Sequence, residues 1–66
     1  PSGVTARMLY NMGSSYAALE LFEDAIKCFS QSLERGLDDD DNDLCRKQIS
    51  RCKILAKEQS RRDSSQ

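Results

Sequence analysis

The chain has 66 residues, 38% of them hydrophobic and 32% charged, and a formal net charge of -1. That is one small domain near the lower limit of independent folding, helical rather than disordered in composition, with no global charge to draw it to nucleic acid or membrane. No apolar run reaches the roughly 18 residues that span a bilayer, and no signal-peptide pattern opens the chain.

Residues 1–5, PSGVT, read as a lead-in in which Ser2 or Thr5 caps the helix that follows. Beyond Ala6, the residues Leu9, Met12, Tyr16 and Leu19 step by three and four, which predicts a helix with one buried stripe and Met8 and Tyr10 on its flanks. The phase breaks at ELFED, and Phe22, Ala25, Ile26, Phe29 and Leu33 start a second stripe. No proline stands here to break the chain. The change of phase therefore requires a tight turn near Glu20 to Phe22 and an antiparallel helical hairpin over residues 6–37. Glu23 and Asp24 suit the positive start of the second helix, Arg35 its last turn, and Gly36 its stop.

Residues 38–42 read as an acidic connector, because consecutive aspartates repel one another and make poor helix interior. Asp41, Asn42 or Asp43 then caps a third helix over residues 43–60, with Cys45, Ile49, Cys52 and Ala56 on one stripe and Leu44 and Leu55 beside it. Residues 61–66 read as a disordered tail. The expected fold is all-α, a helix-turn-helix hairpin plus a third helix. Charge is uneven along it: residues 38–43 hold five aspartates and no base, whereas residues 46–62 hold seven bases (Arg46, Lys47, Arg51, Lys53, Lys57, Arg61, Arg62) against Glu58. Such a pattern is first of all a solvated helix face with acids at the favourable end of the dipole.

Gly13 lies on the stripe side of the first helix, where it costs about 1 kcal/mol relative to alanine. A small residue there implies that a second helix comes close. Ala25 is the small residue expected opposite it, with Tyr16, Phe22 and Phe29 filling the space around the contact.

The three cysteines, Cys28, Cys45 and Cys52, form no C-x-x-C pair, and the chain has no histidine. An odd count argues against a disulfide framework and for a reducing, intracellular compartment, cytoplasmic or nuclear. Seven residues separate Cys45 from Cys52, about 10 Å along a helix and too far to share one ion. The thiols are expected to be buried as small hydrophobes. There is no G-x-S-x-G and no phosphate-cradling loop, and DDDDND lacks the glycine turn and distal glutamate of a calcium loop. No catalytic residue, cofactor or metal is expected.

In order, Leu9, Met12-Gly13, Tyr16, Phe22, Ala25, Phe29 and Ser32 resemble the signature of the tetratricopeptide repeat, a helical hairpin of about 34 residues. Met12 stands for the leucine, Ser32 for the final alanine, and Leu37 where proline is common. The resemblance covers residues 6–37. A further repeat length of about 34 residues leads from Leu9, Gly13, Tyr16 and Ala25 to Asp43, Lys47, Ser50 and Gln59, so no second repeat follows. The resemblance implies that the third helix is a capping helix ending a solenoid. Because about three repeats are needed for a continuous core, it also implies the C-terminal piece of a longer array, or association with a second copy.

A binding module rather than an enzyme is what this family implies, its first helix lining a groove for a partner protein or peptide. The groove candidates are Arg7, Tyr10, Asn11 and Ser14. Arg7 and Asn11 resemble part of the set with which some repeats clamp a C-terminal carboxylate; Tyr10 and Ser14 stand where that set has lysine and asparagine. Two alternatives rest on the residues themselves. One is self-association through exposed apolar faces, as a homo-oligomer. The other is binding of an acidic partner or nucleic acid by the basic third helix, with nucleic acid disfavoured by the missing aromatics and the neighbouring aspartates. RRDS, ending at Ser64, resembles a kinase site and makes Ser64 a candidate for phosphorylation.

Overall fold

Thr5 starts the first helix, α1 (Ala6–Ala18): its backbone is extended, and its Oγ1 accepts a hydrogen bond from the Met8 N–H at 3.2 Å. The geometry is that of a computed structural model describing residues 3–64; Ser2, the other expected cap, lies outside the described residues. At the far end of α1 the Glu20 N–H bonds the Ala17 carbonyl at 3.0 Å and the Leu21 N–H bonds the Tyr16 carbonyl at 2.9 Å. This pair of bonds is a Schellman motif, and it places Glu20 in the left-handed region at φ 62°. The turn between the stripes is thus closed by backbone bonds around a residue other than glycine.

The second helix, α2 (Phe22–Arg35), carries Glu23 and Asp24 in its first turn and Arg35 in its last, and stops at Gly36, φ 99°. It buries Phe22, Ala25, Cys28, Phe29 and Ser32. Two side chains of its last turns bind the start of α1. The Ser32 hydroxyl, fully buried, donates to the Ala6 carbonyl at 2.6 Å, and the Arg35 guanidinium donates to the Val4 carbonyl at 3.1 Å.

The third helix, α3 (Asp39–Ser64), begins four residues earlier than residue 43 and runs beyond residue 60. Its first bond joins the Asn42 N–H to the Asp38 carbonyl at 2.7 Å, so none of Asp41, Asn42 and Asp43 is the capping residue. Only residues 36–38 remain as a connector. The reason is the dipole: Asp39, Asp40 and Asp41 occupy the first turn, where N–H groups are free, and Arg61 and Arg62 occupy the last. The segment expected as a disordered tail is therefore helical through Ser64, whose side chain lies outside the described residues, as do Ser65 and Gln66.

In the order of packing, α2 is the middle element; it lies against both α1 and α3, which barely meet each other. Phe22, Ala25, Phe29, Cys45 and Cys52 form the core, with Tyr10, Tyr16, Ile26, Ile49 and Leu55 packed around it. The expected all-α hairpin plus third helix is the fold observed.

Within α1, however, the buried line is Leu9 and Gly13, while Met12 is 43% and Leu19 68% exposed. The cause is Phe29. A Cβ built on Gly13 would lie 2.8 Å from both Cδ1 and Cε1 of that ring, so what meets Gly13 most closely is the Phe29 ring rather than Ala25. Seating the ring on the bare backbone turns the Leu9–Gly13 line inward. Met12 and Leu19, away from that line, turn outward.

Two predictions follow from this geometry. Gly13→Ala adds about 1 kcal/mol of helix propensity but overpacks a buried ring, a change that costs about 1–3 kcal/mol. Urea denaturation is expected to show net destabilisation, and the same substitution in a Phe29→Leu background is expected to be neutral or stabilising; destabilisation of equal size in both backgrounds would refute the contact. Glu20→Gly removes a left-handed backbone penalty of about 1–2 kcal/mol, offset in part by greater freedom of the unfolded chain. The expected result is a stability gain of up to about 1 kcal/mol, read as a higher urea midpoint with an unchanged slope.

Candidate functional site

The exposed side of α1 divides into two strips. On the polar strip, Asn11 and Ser14 are exposed, and Arg7 extends to Asp41 of α3 with an Nη2 to Oδ2 distance of 2.9 Å. Tyr10, read from sequence as a groove residue, is instead half-buried, its ring edge-on to Phe29 at a centroid distance of 5.4 Å. Its aromatic surface belongs to the core cluster. Of the four candidates, only Asn11 and Ser14 present their side chains without a described partner in another helix.

On the apolar strip, Val4, Met8, Met12 and Leu19 are exposed. Asn11, Met12, Ser15, Tyr16 and Leu19 line a shallow groove of about 260 Å³. From Met8 to Leu19 the chain has no charged residue, and the one charge inside α1, Arg7, is paired. A surface helix normally keeps a charged outer face; α1 has none.

Two polar ties join α1 to α3, the Arg7–Asp41 pair at their N-terminal ends and a hydrogen bond from Gln59 Nε2 to the Glu20 carbonyl, 3.1 Å, at their C-terminal ends. The two helices therefore run in the same direction, with α2 antiparallel between them. A hollow of about 380 Å³ lies between the ties, lined by Ala17 and Ala18 from α1, Phe22 from α2, and Gln48, Arg51 and Leu55 from α3. The α3 half of this groove was not identified from sequence. Gln48 and Leu55 flank the Cys45–Cys52 stripe at helical spacing, but periodicity alone does not say on which flank α1 will lie. Toward the C-terminal end of α3, Glu20, Glu23, Asp24, Lys27, Gln59 and Asp63 border an acid-rich cleft of about 350 Å³.

All three cysteines are free and buried. Cys45 Sγ donates to the Phe29 carbonyl at 3.3 Å. Burial pushes each thiol above its ordinary value, reinforced at Cys28 by the charge of Asp24 and opposed at Cys52 by that of Arg51. Among the described residues no three His, Cys, Asp or Glu side chains are grouped to hold a metal, and no helix is long and apolar enough to cross a membrane.

Raised thiol values fix the sign of a pH effect. The folded chain holds its thiol protons to higher pH than the unfolded chain, so this contribution is whole below the unfolded value of about 8.5 and lost as pH rises through the folded values. The urea midpoint is expected to stay level up to about pH 8 and to fall above about 8.5, with a shallower fall in Cys45→Ala. A level midpoint beyond about pH 9.5, on the alkaline side of that range, would contradict the assignment. No family model, no curated protein and no solved structure matches the chain.

Proposed function

We propose that the chain is the end of a tetratricopeptide-like array, its hairpin α1–α2 closed by α3 as a capping helix, and that it works as an intracellular protein-interaction module, cytoplasmic or nuclear. One observation carries the reading: α1 turns Met8, Met12 and Leu19 to solvent on a stretch without any charge. In a solenoid each hairpin covers the apolar side of the next, and terminal elements carry polar outer faces. Here α3 has the polar face and α1 has the open apolar one. A preceding hairpin on α1 would complete the core, and the hollow between α1 and α3 would continue a groove for a partner peptide, with Asn11, Ser14, Gln48 and Arg51 on its walls. Gly13 against Phe29, with Phe22 and Ala25 buried, is in keeping with the repeat signature. The free, buried thiols are in keeping with a reducing compartment. No catalytic role, cofactor or metal is proposed.

The second reading, self-association, is supported by the same strip. Met8, Met12, Ser15 and Leu19 are spaced four, three and four apart, the rhythm of a coiled-coil seam. Both readings require that the strip bind protein. Sedimentation velocity on the isolated chain is expected to show concentration-dependent association, abolished by Met12→Lys with Leu19→Lys while far-UV circular dichroism stays helical. A well-folded monomer at high concentration would remove the docking face and the proposal with it.

A further inference from the structure

The outer face of α3 has no role in the groove. At 3.6 residues per turn, Lys47, Ser50, Ile54, Lys57, Glu58 and Arg61 share the side opposite the buried Cys45 and Cys52, with Arg46 and Lys53 along one edge of it. From Arg46 to Arg61 the helix holds six bases against one acid, Glu58, which stands one turn beyond Ile54. In the middle of this field Ile54 is 60% exposed. Among the described residues, the side chains of Arg46, Lys47, Lys53, Lys57 and Arg61 form no ion pair or hydrogen bond. Lys47 and Arg51, Lys53 and Lys57, and Lys57 and Arg61 stand four apart, and like charges at that spacing weaken a helix. Asp43 with Arg46 and Lys47 at one end, and Glu58 with Arg61 at the other, offset these repulsions in part, and bound carboxylates would relieve the rest.

We propose that this face docks an acidic segment of a partner protein, one apolar side chain of the segment resting on Ile54 with carboxylates on either side meeting Arg46, Lys53, Lys57 and Arg61. Charge complementarity sets the sign of the partner, and the surroundings of the face set its kind. The field is bounded: residues 46–61 span about 22 Å of helix, and past Arg46 an extended polyanion meets Asp43 and the aspartates of the first turn. That length suits a short peptide and opposes a long phosphate backbone. The chain's four aromatics, Tyr10, Tyr16, Phe22 and Phe29, all lie on α1 and α2, so the face offers bases nothing to stack on. Ile54 is of no use to phosphates, but it gives an acidic amphipathic segment an anchor. The site is separate from the α1 strip and the α1–α3 groove.

The probe is a fluorescent peptide of about 14 residues, which matches four helical turns, with glutamates on both sides of a single leucine; a control has serine for the leucine. Anisotropy at about 0.15 M salt, where exposed charges are screened beyond about 8 Å, is expected to show binding weakened at least about tenfold, or about 1.4 kcal/mol, by Lys53→Glu with Lys57→Glu. Ile54→Ser is expected to weaken the leucine peptide and leave the control unchanged, and Gln31→Lys, exposed on α2, to have no effect on either. Circular dichroism of each variant separates lost binding from lost helix. The proposal is overturned if the peptide fails to bind, if the charge reversal leaves its affinity unchanged, or if single-stranded RNA displaces it at the same salt. A change in sedimentation mass caused by the charge reversal would assign the face to a second copy and overturn it equally.

Discussion

Phe29 meets α1 through its ring and α3 through its backbone carbonyl, and the rest of the molecule is arranged around it. On one side the ring lies against the bare backbone of Gly13, with the edge of Tyr10 beside it; on the other, the carbonyl of its own residue accepts the Cys45 thiol. Full burial of such a side chain is worth about 1.5–3 kcal/mol, and a core this small rarely supplies more than about 3–5 kcal/mol in all. The low helix propensity of Gly13 is the condition for that burial, since any Cβ would lie inside van der Waals distance of the ring. The rotation of α1 is fixed by the same contact. Gly13 faces inward, so Met12 and Leu19 cannot, and the apolar strip on the outer surface is a direct consequence of seating one aromatic ring.

Around this contact the ends of the helices are held by polar ties rather than by apolar bulk. Ser32 and Arg35 of α2 bind carbonyls at the start of α1, while Arg7 and Gln59 tie α1 to α3 at opposite ends. A buried hydroxyl with its bond made is tolerated where an unpartnered one is costly, which explains how a serine stands fully buried in α2 among Cys28, Phe29 and Ala25. The exposed Arg7–Asp41 pair contributes little energy by itself. Its effect is geometric: together with the Gln59 bond it keeps α1 and α3 parallel, and the hollow between them exists because they are held side by side without interpenetrating.

Much of this was legible in the sequence, and the failures have physical causes. The turn near Glu20, the stop at Gly36, the buried stripe of α2 and the Cys45–Cys52 stripe follow from period and capping chemistry. The face of α1 was legible only in part: Leu9, Tyr16 and the close contact at Gly13 were, but a stripe read by hydrophobicity also took in Met12 and Leu19, which are exposed. Close packing decides otherwise, since the residue with no side chain is the one that admits the ring. Periodicity put Tyr10 on the flank of the stripe and the resemblance put it in the groove; its ring packs on Phe29, in keeping with the flank. The start of α3 was missed because aspartate is weak in helix interiors but favourable in the first turn, and sequence alone does not say which turn is first. The α3 wall of the groove depends on where α1 lies against it, a tertiary fact with no local signature.

The charge pattern of α3 is a compromise between two demands on one helix. At the start, three aspartates in the first turn meet free N–H groups, each such charge worth about 0.3–1 kcal/mol at low ionic strength. At the end, Arg61 and Arg62 complement the carbonyls. Folding alone asks for nothing more, and a middle section alternating acid with base would add about 0.2–0.5 kcal/mol for each favourable pair. Between Asp43 and Glu58 every charged residue is a base. Dipole complementarity accounts for the two ends of this helix, and its basic middle is a solvated face whose single sign is open to a partner of opposite charge. The contrast with α1 lies in charge. One outer surface is stripped of charge and the other is mainly of a single sign, so a chain with so small a core shows solvent two faces of different chemistry.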